Sequence, residues 1–380
     1  MTIARVECWV FRAPIAVPVT AAIGSMSNRP AVFLRITAKD GAWGWGEVFC
    51  NFPQVGAEHR ARLVDSMFAP LLVGSASDDA AALSASLAAR TRRVAIQCGE
   101  PGPFAQIIGA VDQALWDMAA RRAGVPLWKL LSQGAATGGA PHNRVRVYAS
   151  GLGPEQVATN ALAKRAEGYA AFKFKIGFAP EKDRANFTAI REALGDDATV
   201  MVDANQAWEP DTAAARIAEL APFKPAWVEE PLAADVPVAQ WQALAKECGL
   251  PLAAGENLRG MPAFSEALTA GFLSFVQPDV AKWGGVSGCR DVALLGQQHG
   301  AVFCPHWLGG GIGLAASLHL RAALGPQGYA EVDANPNPLR EDVFMPAVRD
   351  GWVTLGDAPG LGVEPDLAGL AHLRVVHHAA

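Results

Sequence analysis

Residues 171–203 read AFKFKIGFAPEKDRANFTAIREALGDDATVMVD, and this stretch contains one complete repeat of the pattern that decides the fold. The β-rich run Ala171–Ile176 predicts a strand, Glu181–Leu194 predicts a helix, and Thr199–Val202 predicts the next strand. Asp203 stands directly after that second strand. A strand, a helix and a further strand in this order predict a parallel βαβ unit.

The same alternation runs through the chain from residue 144 onward. Helical stretches separate short β-rich runs at Val145–Ala149, Ala171–Ile176, Thr199–Val202, Trp227–Val228, Leu252–Ala253, Leu273–Val276, Val302–Phe303 and Tyr329–Ala330. Eight strands alternating with helices predict a parallel sheet closed into a barrel. An open doubly wound sheet would fit the alternation too, but it usually carries a Gly-rich nucleotide-binding turn after its first strand. Ser150–Pro154 lacks that motif, which favours the barrel.

A polar residue stands at the end of nearly every predicted strand, on the side where a barrel holds its catalytic groups. In chain order these residues are Lys173 and Lys175, Asp203, Glu229, Glu256, Asp279, His306 and Glu331. Any single acid of this kind could be the N-cap of the following helix. Seven positions that follow one another at intervals of 23 to 28 residues instead predict side chains gathered around one barrel mouth.

The run Phe172–Ile176 indicates which way its two lysines point. Alternation places its three apolar residues on one face, toward the surrounding helices, and places Lys173 and Lys175 on the other face. Both ammonium groups are therefore expected inside the barrel, where burial is costly unless anions face them. Asp203 and Glu229, on the next two strands, are placed to supply those anions.

Asp203, Glu229 and Glu256 come from three consecutive strand ends and predict a divalent-metal site. No cysteine and no His-x-His motif accompanies them, so the set is all oxygen, which suits Mg²⁺, with Mn²⁺ as the alternative. A barrel of the amidohydrolase type would need His-x-His after its first strand, and Val145–Ser150 contains none. A metal here would stabilise the charge formed when the carbon beside a substrate carboxylate loses its proton.

Two further positions are candidate proton carriers. Lys175 is expected to be the base, with its pKa lowered by the charge of Lys173 and by the metal. His306 is placed to serve the opposite face of the substrate, and Asp279 to accept a hydrogen bond from its ring and fix the tautomer. The residues together predict an enzyme that removes the proton next to a carboxylate.

Two other classes of function stay open on the residues alone. In a Schiff-base barrel, Lys173 would depress the pKa of a nucleophilic Lys175, and the enzyme would stay fully active in EDTA. The three spaced acids count against this interpretation. A purely structural barrel would bind no metal and would tolerate Asp203→Asn without effect.

The composition excludes several further classes. The chain has 380 residues, of which 51% are hydrophobic and 18% charged, and its net charge is −5. These values indicate a globular protein and argue against a nucleic-acid or anionic-membrane binder. No secretory signal or membrane span is recognisable, and the six cysteines are far apart, as free thiols in a reducing compartment would be. We therefore expect a cytoplasmic enzyme acting on a small molecule.

The first 130 residues have a different pattern and predict a separate α+β domain. β-Rich runs at Ile3–Phe11, Ala31–Ala38 and Gly44–Val48 predict strands. Helical spacing of apolar residues dominates Ala57–Ala120. The Gly/Ser/Ala-rich stretch Ser132–Ala140 then predicts a linker to the barrel.

Short motifs along nearly the whole chain carry a family resemblance. They are Asp40–Glu47, Ala114–Asp117, Phe172–Lys175, Val202–Asn205, Trp227–Pro231, Ala254–Asn257, Gln277–Asp279 with Lys282–Gly285, Cys304–His306, Tyr329–Glu331 and Pro359–Gly362. Together they resemble the mandelate racemase subgroup of the mandelate racemase/muconate lactonizing enzyme family, in the enolase superfamily. The resemblance implies a homo-oligomer built on a modified (β/α)7β barrel, residues 140–344. It also implies an α+β capping domain, residues 1–130, completed by residues 345–380.

The resemblance assigns roles at the barrel mouth. It implies that Asp203, Glu229 and Glu256 bind Mg²⁺, and that Lys173 and Asn205 contact the substrate carboxylate. Two loops of the capping domain, at residues 24–29 and 49–54, would close over the mouth and exclude water.

The resemblance also assigns the catalysts. Lys175 and the His306–Asp279 dyad would be acid/base catalysts on opposite faces of the substrate. Glu331 would hydrogen-bond the enolate oxygen, and for that it would have to be protonated, which burial among other acids favours.

Members of this family share abstraction of the proton α to a carboxylate, through an enediolate, and differ in the fate of that intermediate. We expect dehydration of an acid sugar, with His306 protonating the leaving hydroxyl, because this activity is common in the subgroup. The alternative is a racemase or epimerase of a 2-substituted carboxylic acid, in which the two bases exchange protons across the two faces. Cycloisomerisation is disfavoured because the muconate-cycloisomerase subgroup has a lysine where this chain has Asp279.

The sequence says little about the substrate itself. The polar residues of the two capping loops either bind substrate hydroxyls or are solvated, and they are Ser25, Asn28, Arg29 and Asn51. The aromatic residues expected to make part of the cavity apolar are Phe52, Trp208, Trp283 and Trp307.

Overall fold

A computed structural model describes residues 1–21, 24–133 and 142–380. The strands in these residues are β1 Ile3–Ala21, β2 Gly24–Ala38, β3 Trp43–Val48, β4 Arg144–Leu152, β5 Ala171–Lys175, β6 Thr199–Asp203, β7 Val228–Glu229, β8 Leu252–Ala254, β9 Phe275–Val276, β10 Val302–Phe303, β11 Ala330–Asp333, β12 Val348–Arg349, β13 Trp352–Thr354 and β14 Arg374–Ala379. The α-helices are α1 Gly56–Leu63, α2 Ala69–Leu72, α3 Ala80–Gln97, α4 Pro101–Arg122, α5 Leu127–Ser132, α6 Val157–Ala166, α7 Pro180–Leu194, α8 Pro210–Ala218, α9 Val238–Cys248, α10 Met261–Thr269, α11 Gly285–Gln298, α12 Gly311–Ala323 and α13 Pro338–Glu341.

The N-terminal part forms an antiparallel sheet in the order β14-β1-β2-β3, and α4 packs against it. Two glycines of β3 allow this packing. A Cβ atom on Gly44 would lie 2.0 Å from the carbonyl oxygen of Ala114, and one on Gly46 would lie 2.0 Å from that of Ala110. Alternating glycine with tryptophan in β3 thus lets the helix backbone approach the sheet more closely than any other residue would permit.

The second sheet is the predicted barrel. Strands β4 to β10 are parallel neighbours in chain order, and β11 pairs with β4, so the sheet curls back toward its first strand. Helices α6 to α12 connect these strands. All eight strands occur at the positions that the sequence predicts, and the fold is the expected (β/α)7β barrel with an α+β capping domain.

The C-terminal segment divides between the two sheets. Strands β12 and β13 form a hairpin that extends the barrel sheet, because β13 pairs antiparallel with β4. Strand β14 instead pairs with β1 in the capping sheet. The predicted domain boundaries stay a prediction, and most of the predicted linker Ser132–Ala140 lies outside the described residues.

Carboxylates of the capping domain hold it to the barrel. Glu47 accepts hydrogen bonds from the backbone N–H of Gly310, at 2.5 Å, and of Gly313, at 2.9 Å, at the N-terminus of α12. Burial raises the pKa of Glu47 to about 7 although both N–H groups lower it. Asp112 in α4 accepts from the N–H of Ser287 in α11, at 2.9 Å. Both carboxylates therefore link the capping domain to a barrel helix near its start.

Arg29 makes a buried ionic link between β2 and the last barrel strand. Its side chain is 1% exposed, and its Nη2 lies 2.5 Å from Asp333 Oδ2. Arg340 Nη1 lies 3.2 Å from the same oxygen, so one carboxylate faces two guanidinium groups. Arg29 is therefore a structural residue at the edge of the barrel mouth and is not a solvated loop residue.

This arrangement predicts unequal effects of removing its members. We expect Asp333→Asn to lower the free energy of unfolding by about 3 to 5 kcal/mol, because it leaves the buried Arg29 without an anion and leaves Arg340 with Glu341 alone. Arg29→Met should cost less, because Arg340 still neutralises Asp333. Urea unfolding of both variants checks this order, and an equal or reversed order would contradict the shared-carboxylate explanation.

None of the described helices is both long and apolar enough to cross a membrane. All six cysteines are free thiols, as the sequence predicts, and only Cys98 is exposed.

Candidate active site

Both lysines of β5 point into the barrel, as their alternation predicts. Lys173 is fully buried, forms an ion pair with Glu229, and lies 2.9 Å from Glu331. Lys175 is 13% exposed, and its Nζ lies 2.6 Å from Asp203 Oδ2. The buried cations thus have the anions that the cost of burial requires.

Strand register brings three of the predicted site residues side by side. Lys175 on β5 is paired with Asp203 on β6, and Asp203 is paired with Glu229 on β7. Glu256 follows β8 by two residues, and His306 follows β10 by three. Because all these strands are parallel, their ends meet at the same edge of the barrel.

Glu229 lies below the mouth in a saturated hydrogen-bond network. It accepts from Lys173, from Gln277 Nε2 at 2.6 Å and from Trp227 Nε1 at 3.0 Å. Burial raises the pKa of Glu229 to about 7, although Lys173 lowers it. Gln277, in the Gln-Pro-Asp motif, is therefore a residue that orients Glu229.

Glu256 connects the dyad histidine with a lysine that the sequence did not single out. Its carboxylate is 2.5 Å from His306 Nε2 and 2.9 Å from Lys282 Nζ, and it accepts from Asn257 Nδ2 at 3.0 Å. Burial raises the pKa of Glu256, but the charges of His306 and Lys282 together lower it by more. The net pKa therefore lies well below its usual value.

The predicted dyad is present. His306 Nδ1 lies 2.6 Å from Asp279 Oδ2. Asp279 Oδ1 also accepts from the N–H of Ala281 at 2.7 Å and of Lys282 at 3.1 Å, so its carboxylate is fixed by the backbone. Burial lowers the pKa of His306, but the carboxylates of Glu256 and Glu331 raise it, and the net pKa lies well above the usual histidine value.

Two pKa directions differ here from those expected of the metal-bound site. The pKa of Lys175 is raised, because Asp203 at 2.6 Å and the charge of Glu256 outweigh burial and Lys173, which lower it. The pKa of Glu331 is lowered, because Lys173 and His306 outweigh burial, which raises it. These directions favour the ammonium form of Lys175 and the carboxylate form of Glu331.

The hydrogen bonds of Glu331 agree with its negative charge. Its carboxylate accepts from Ser150 Oγ and from the N–H of Trp307 at 3.1 Å, besides its contact with Lys173. Sequence reasoning predicted neither Ser150 nor Lys282 as a site residue. The position of Lys282, three residues after Asp279 in the matched motif, was the available signal.

A cavity of about 220 Å³ lies between the capping domain and the barrel mouth. The barrel lines it with Lys175, Asn205, Gln206, Glu256, Asn257, Lys282, His306, Leu308, Gly151 and Asn335. The capping domain contributes Val19, Thr20, Gly24, Met26, Phe49, Asn51, Phe52 and Gln106. Both predicted loops therefore contribute lining residues to the mouth, within the part of the chain that the structure describes.

Several residues that were expected to line the cavity do not line it. Of the four predicted aromatic residues, only Phe52 lines it. The Trp307 indole is buried and donates to Gly310 O at 3.0 Å. Asn51 lines the cavity, whereas Asn28 accepts from Arg12. Lys173 does not line the cavity, so its contact with a substrate carboxylate stays a prediction.

The donor chemistry of the mouth fits Mg²⁺. Asp203, Glu229 and Glu256 are at most 9% exposed and offer only oxygen atoms. Asn205 Oδ1, beside Asp203, is a buried oxygen without a hydrogen-bond partner among the described residues. In this arrangement each carboxylate faces a lysine, and no three acidic, histidine or cysteine side chains of the described residues stand at metal-ligand spacing.

Two family models match the chain. Mandelate racemase / muconate lactonizing enzyme, N-terminal domain, matches residues 5–132, and Enolase C-terminal domain-like matches residues 156–369. D-galactarolactone cycloisomerase of Agrobacterium fabrum is 31% identical over 99% of this chain and 99% of its own length. D-galactonate dehydratase of Xanthomonas euvesicatoria pv. vesicatoria is 32% identical over 88% of each chain.

Solved structures agree with this similarity. A mandelate racemase/muconate lactonizing enzyme from Bordetella bronchiseptica RB50 superposes with a TM-score of 0.91 and 49% identity, covering 98% of this chain and 99% of the other. A racemase from Streptomyces coelicolor with bound magnesium superposes with a TM-score of 0.87 and 32% identity, covering 98% and 100%.

Proposed function

Because the chain belongs to the mandelate racemase/muconate lactonizing enzyme family of the enolase superfamily, we propose that it is a Mg²⁺-dependent enzyme acting on an acid sugar. It removes the proton α to the carboxylate and expels the oxygen on the β carbon. The observation that carries the proposal is the placement of Lys175 and of the His306–Asp279 dyad around one enclosed cavity.

The proposed metal ligands are Asp203, Glu229 and Glu256. Their all-oxygen chemistry and the unpartnered Asn205 Oδ1 beside them support this choice. When bound, Mg²⁺ would supply Lewis-acid stabilisation of the charge that develops on the substrate carboxylate. Lys173 and Gln277 hold Glu229 in place from inside the barrel.

Lys175 is the proposed base. It lines the cavity, and its Nζ is held by Asp203, which fixes the direction from which the amine approaches a substrate carbon. A lysine must be neutral to accept a proton, and Asp203 is the closest group that raises its pKa. When Asp203 binds another cation, as proposed for Mg²⁺, its charge raises the pKa of Lys175 less, and this favours the neutral amine of Lys175.

His306 is the proposed acid for the leaving group. Its Nδ1 is bound to Asp279, so Nε2, which lies 2.5 Å from the proposed metal ligand Glu256, is the nitrogen assigned to the substrate. With a β-hydroxyl, protonation by His306 releases water, which is dehydration. Amide groups of Asn51, Asn205 and Asn335 line the cavity and can hydrogen-bond the remaining hydroxyls.

Cycloisomerisation is the second candidate, because relatives that match almost the full chain carry this activity in their names. A 3,6-anhydro sugar acid has its ring oxygen on the β carbon, so the same proton removal expels a ring oxygen instead of a hydroxyl. The presence of Asp279 in place of the muconate-type lysine does not exclude this elimination. Racemisation stays the third candidate, through proton exchange between Lys175 and His306.

One screen tests the proposal. We expect one or more acid sugars, among mono- and diacids and their lactone and anhydro forms, to lose the α proton in D₂O with Mg²⁺, followed by ¹H NMR. Chelation with EDTA should abolish the reaction, and Mg²⁺ should restore it, because the charge that develops on the substrate carboxylate would otherwise lack its Lewis acid. Amino acids and hydroxy acids without a β-oxygen serve as controls. Activity that persists in EDTA would remove the metal from the proposal and favour the Schiff-base alternative.

We also propose that the chain works in the cytoplasm, which its six free thiols support. The homo-oligomeric state stays a prediction.

A further inference from the structure

Arg321 is a buried arginine at the end of the barrel opposite the mouth. It lies in the last turn of α12 and is 4% exposed. The segments around it precede β10 and β11, so they belong to the N-terminal ends of those strands. Nothing in the proposed reaction uses this end of the barrel.

Arg321 is one of the residues that line a cavity of about 340 Å³. The cavity is lined by Gln297, Gly300, Ala301, Val302, Phe303, Arg321, Leu324, Gly325, Pro326 and Gln327, which include no acidic residue. Its volume falls within the range of small-molecule sites, roughly 300 to 1,000 Å³. The cavity is therefore a cationic recess in a chain whose net charge is −5.

Arg321 has no anionic partner among the described residues. Its Nη2 donates to the carbonyl oxygen of Gly325 at 2.7 Å, which caps the C-terminus of α12. Nε and Nη1 have no acceptor in the described part of the chain, yet they are not sealed from solvent. Helix capping therefore accounts for one donor group and leaves two others without an acceptor among these residues, in a guanidinium that lies 5.7 Å from the centre of the Phe303 ring.

No neighbouring anion neutralises the charge of Arg321 among the described residues. Burial lowers the pKa of Arg321 to about 10, and the neighbouring Cys304 thiol, whose own pKa burial raises to about 11, gives it no negative charge near pH 7. Two other buried arginines, Arg29 and Arg340, face the carboxylate of Asp333, and a third, Arg60, has all three of its nitrogens bound to neutral oxygen acceptors. A buried guanidinium without an anion is costly, and an oxyanion in the cavity would offset that cost.

We propose that the recess around Arg321 binds a small oxyanion, either inorganic phosphate or the phosphoryl group of a small metabolite. Nε and Nη1 of Arg321 donate to the oxyanion in the paired geometry that guanidinium groups offer to phosphate. The ligand stabilises the folded chain, because the fully formed recess exists only in the folded state.

The test measures thermal unfolding and titration calorimetry with sodium phosphate against sodium chloride at equal ionic strength. The protein is first treated with EDTA, so that no metal at the mouth can hold phosphate. Phosphate should raise the Tm of the wild type by about 2 °C or more. Glycerol phosphate forms a second arm, and tighter binding of the ester than of the inorganic ion would identify the phosphoryl group of a metabolite as the ligand.

Three variants separate binding from structure. Arg321→Met keeps the aliphatic stem and should lower phosphate affinity by at least about tenfold. Gln297→Glu keeps Arg321 and should also remove the Tm rise, because it places a carboxylate in the cavity lining. Arg90→Met, an exposed arginine in α3, should respond like the wild type. An equal phosphate response in Gln297→Glu or Arg321→Met, or no response of the wild type to either ligand, would overturn the proposal.

Discussion

Lys175→Ala is expected to lower kcat by about 10³-fold or more, because it removes the base that takes the α proton. The fold should survive, since the side chain is at the barrel mouth and packs no core. Asp203 keeps two other donors, the backbone N–H of Asn205 at 2.8 Å and its side-chain amide at 3.1 Å. Circular dichroism and urea unfolding check the fold, and NMR in D₂O checks the loss of α exchange on the lysine face.

Lys246→Ala is the matched control. Lys246 is an exposed lysine of α9 that does not line the mouth cavity, and its removal should leave kcat unchanged. Lys175→Arg keeps the positive charge beside Asp203 but cannot accept a proton near neutral pH, so it should be as inactive as Lys175→Ala. Turnover at the wild-type rate in either Lys175 variant would refute the base assignment.

The barrel and the composition of its mouth could be predicted because both follow from local periodicity. Alternation in Phe172–Ile176 decides that Lys173 and Lys175 face inward, whatever the rest of the chain does. Parallel strands of similar spacing then bring Asp203 and Glu229 to the same edge. The contact between His306 and Asp279 follows in the same way from two neighbouring strand ends.

The charge states could not be predicted, because they depend on distances that no spacing in the sequence encodes. Lys175 was expected to have a pKa lowered by Lys173 and by a bound metal, whereas Asp203, at 2.6 Å, outweighs Lys173 and raises it. The pKa of Glu331 was expected to be raised by burial among other acids, whereas the charges of Lys173 and His306 lower it. In each case a cross-strand contact of less than 3 Å outweighs a neighbour on the same strand or the effect of burial.

Contacts between the capping domain and the barrel could not be predicted from the sequence either. Arg29 and Asp333 are 304 positions apart in the chain, and neither lies in a motif that would connect them. From the sequence, Arg29 could either bind a substrate hydroxyl or be solvated, because a loop arginine is usually exposed. Only the packing of the capping domain on the barrel buries it, and this contact in turn helps to hold residues 24–29 against the mouth; the sequence predicted a loop there, but these residues form the start of β2.

His306→Asn is expected to abolish net turnover, with a loss in kcat of about 10² to 10⁴-fold, while leaving part of the chemistry intact. Asparagine can still donate to Asp279, which also keeps its two backbone donors, so the fold should hold. Lys175 would continue to remove and return the α proton on its own face. Substrate hydrogen should therefore still exchange for deuterium in D₂O although no product forms.

The exchange result separates the candidate reactions. In an elimination, retained exchange without product places His306 at the leaving-group step, after proton removal. In a racemase, only the isomer whose proton faces Lys175 would exchange, and its mirror image would not. His299→Asn, at an exposed histidine after α11, controls for the loss of an imidazole. If the variant lost both exchange and turnover for every substrate isomer, His306 and Lys175 would not act independently. The separate roles proposed for them, on opposite faces of the substrate, would then be wrong.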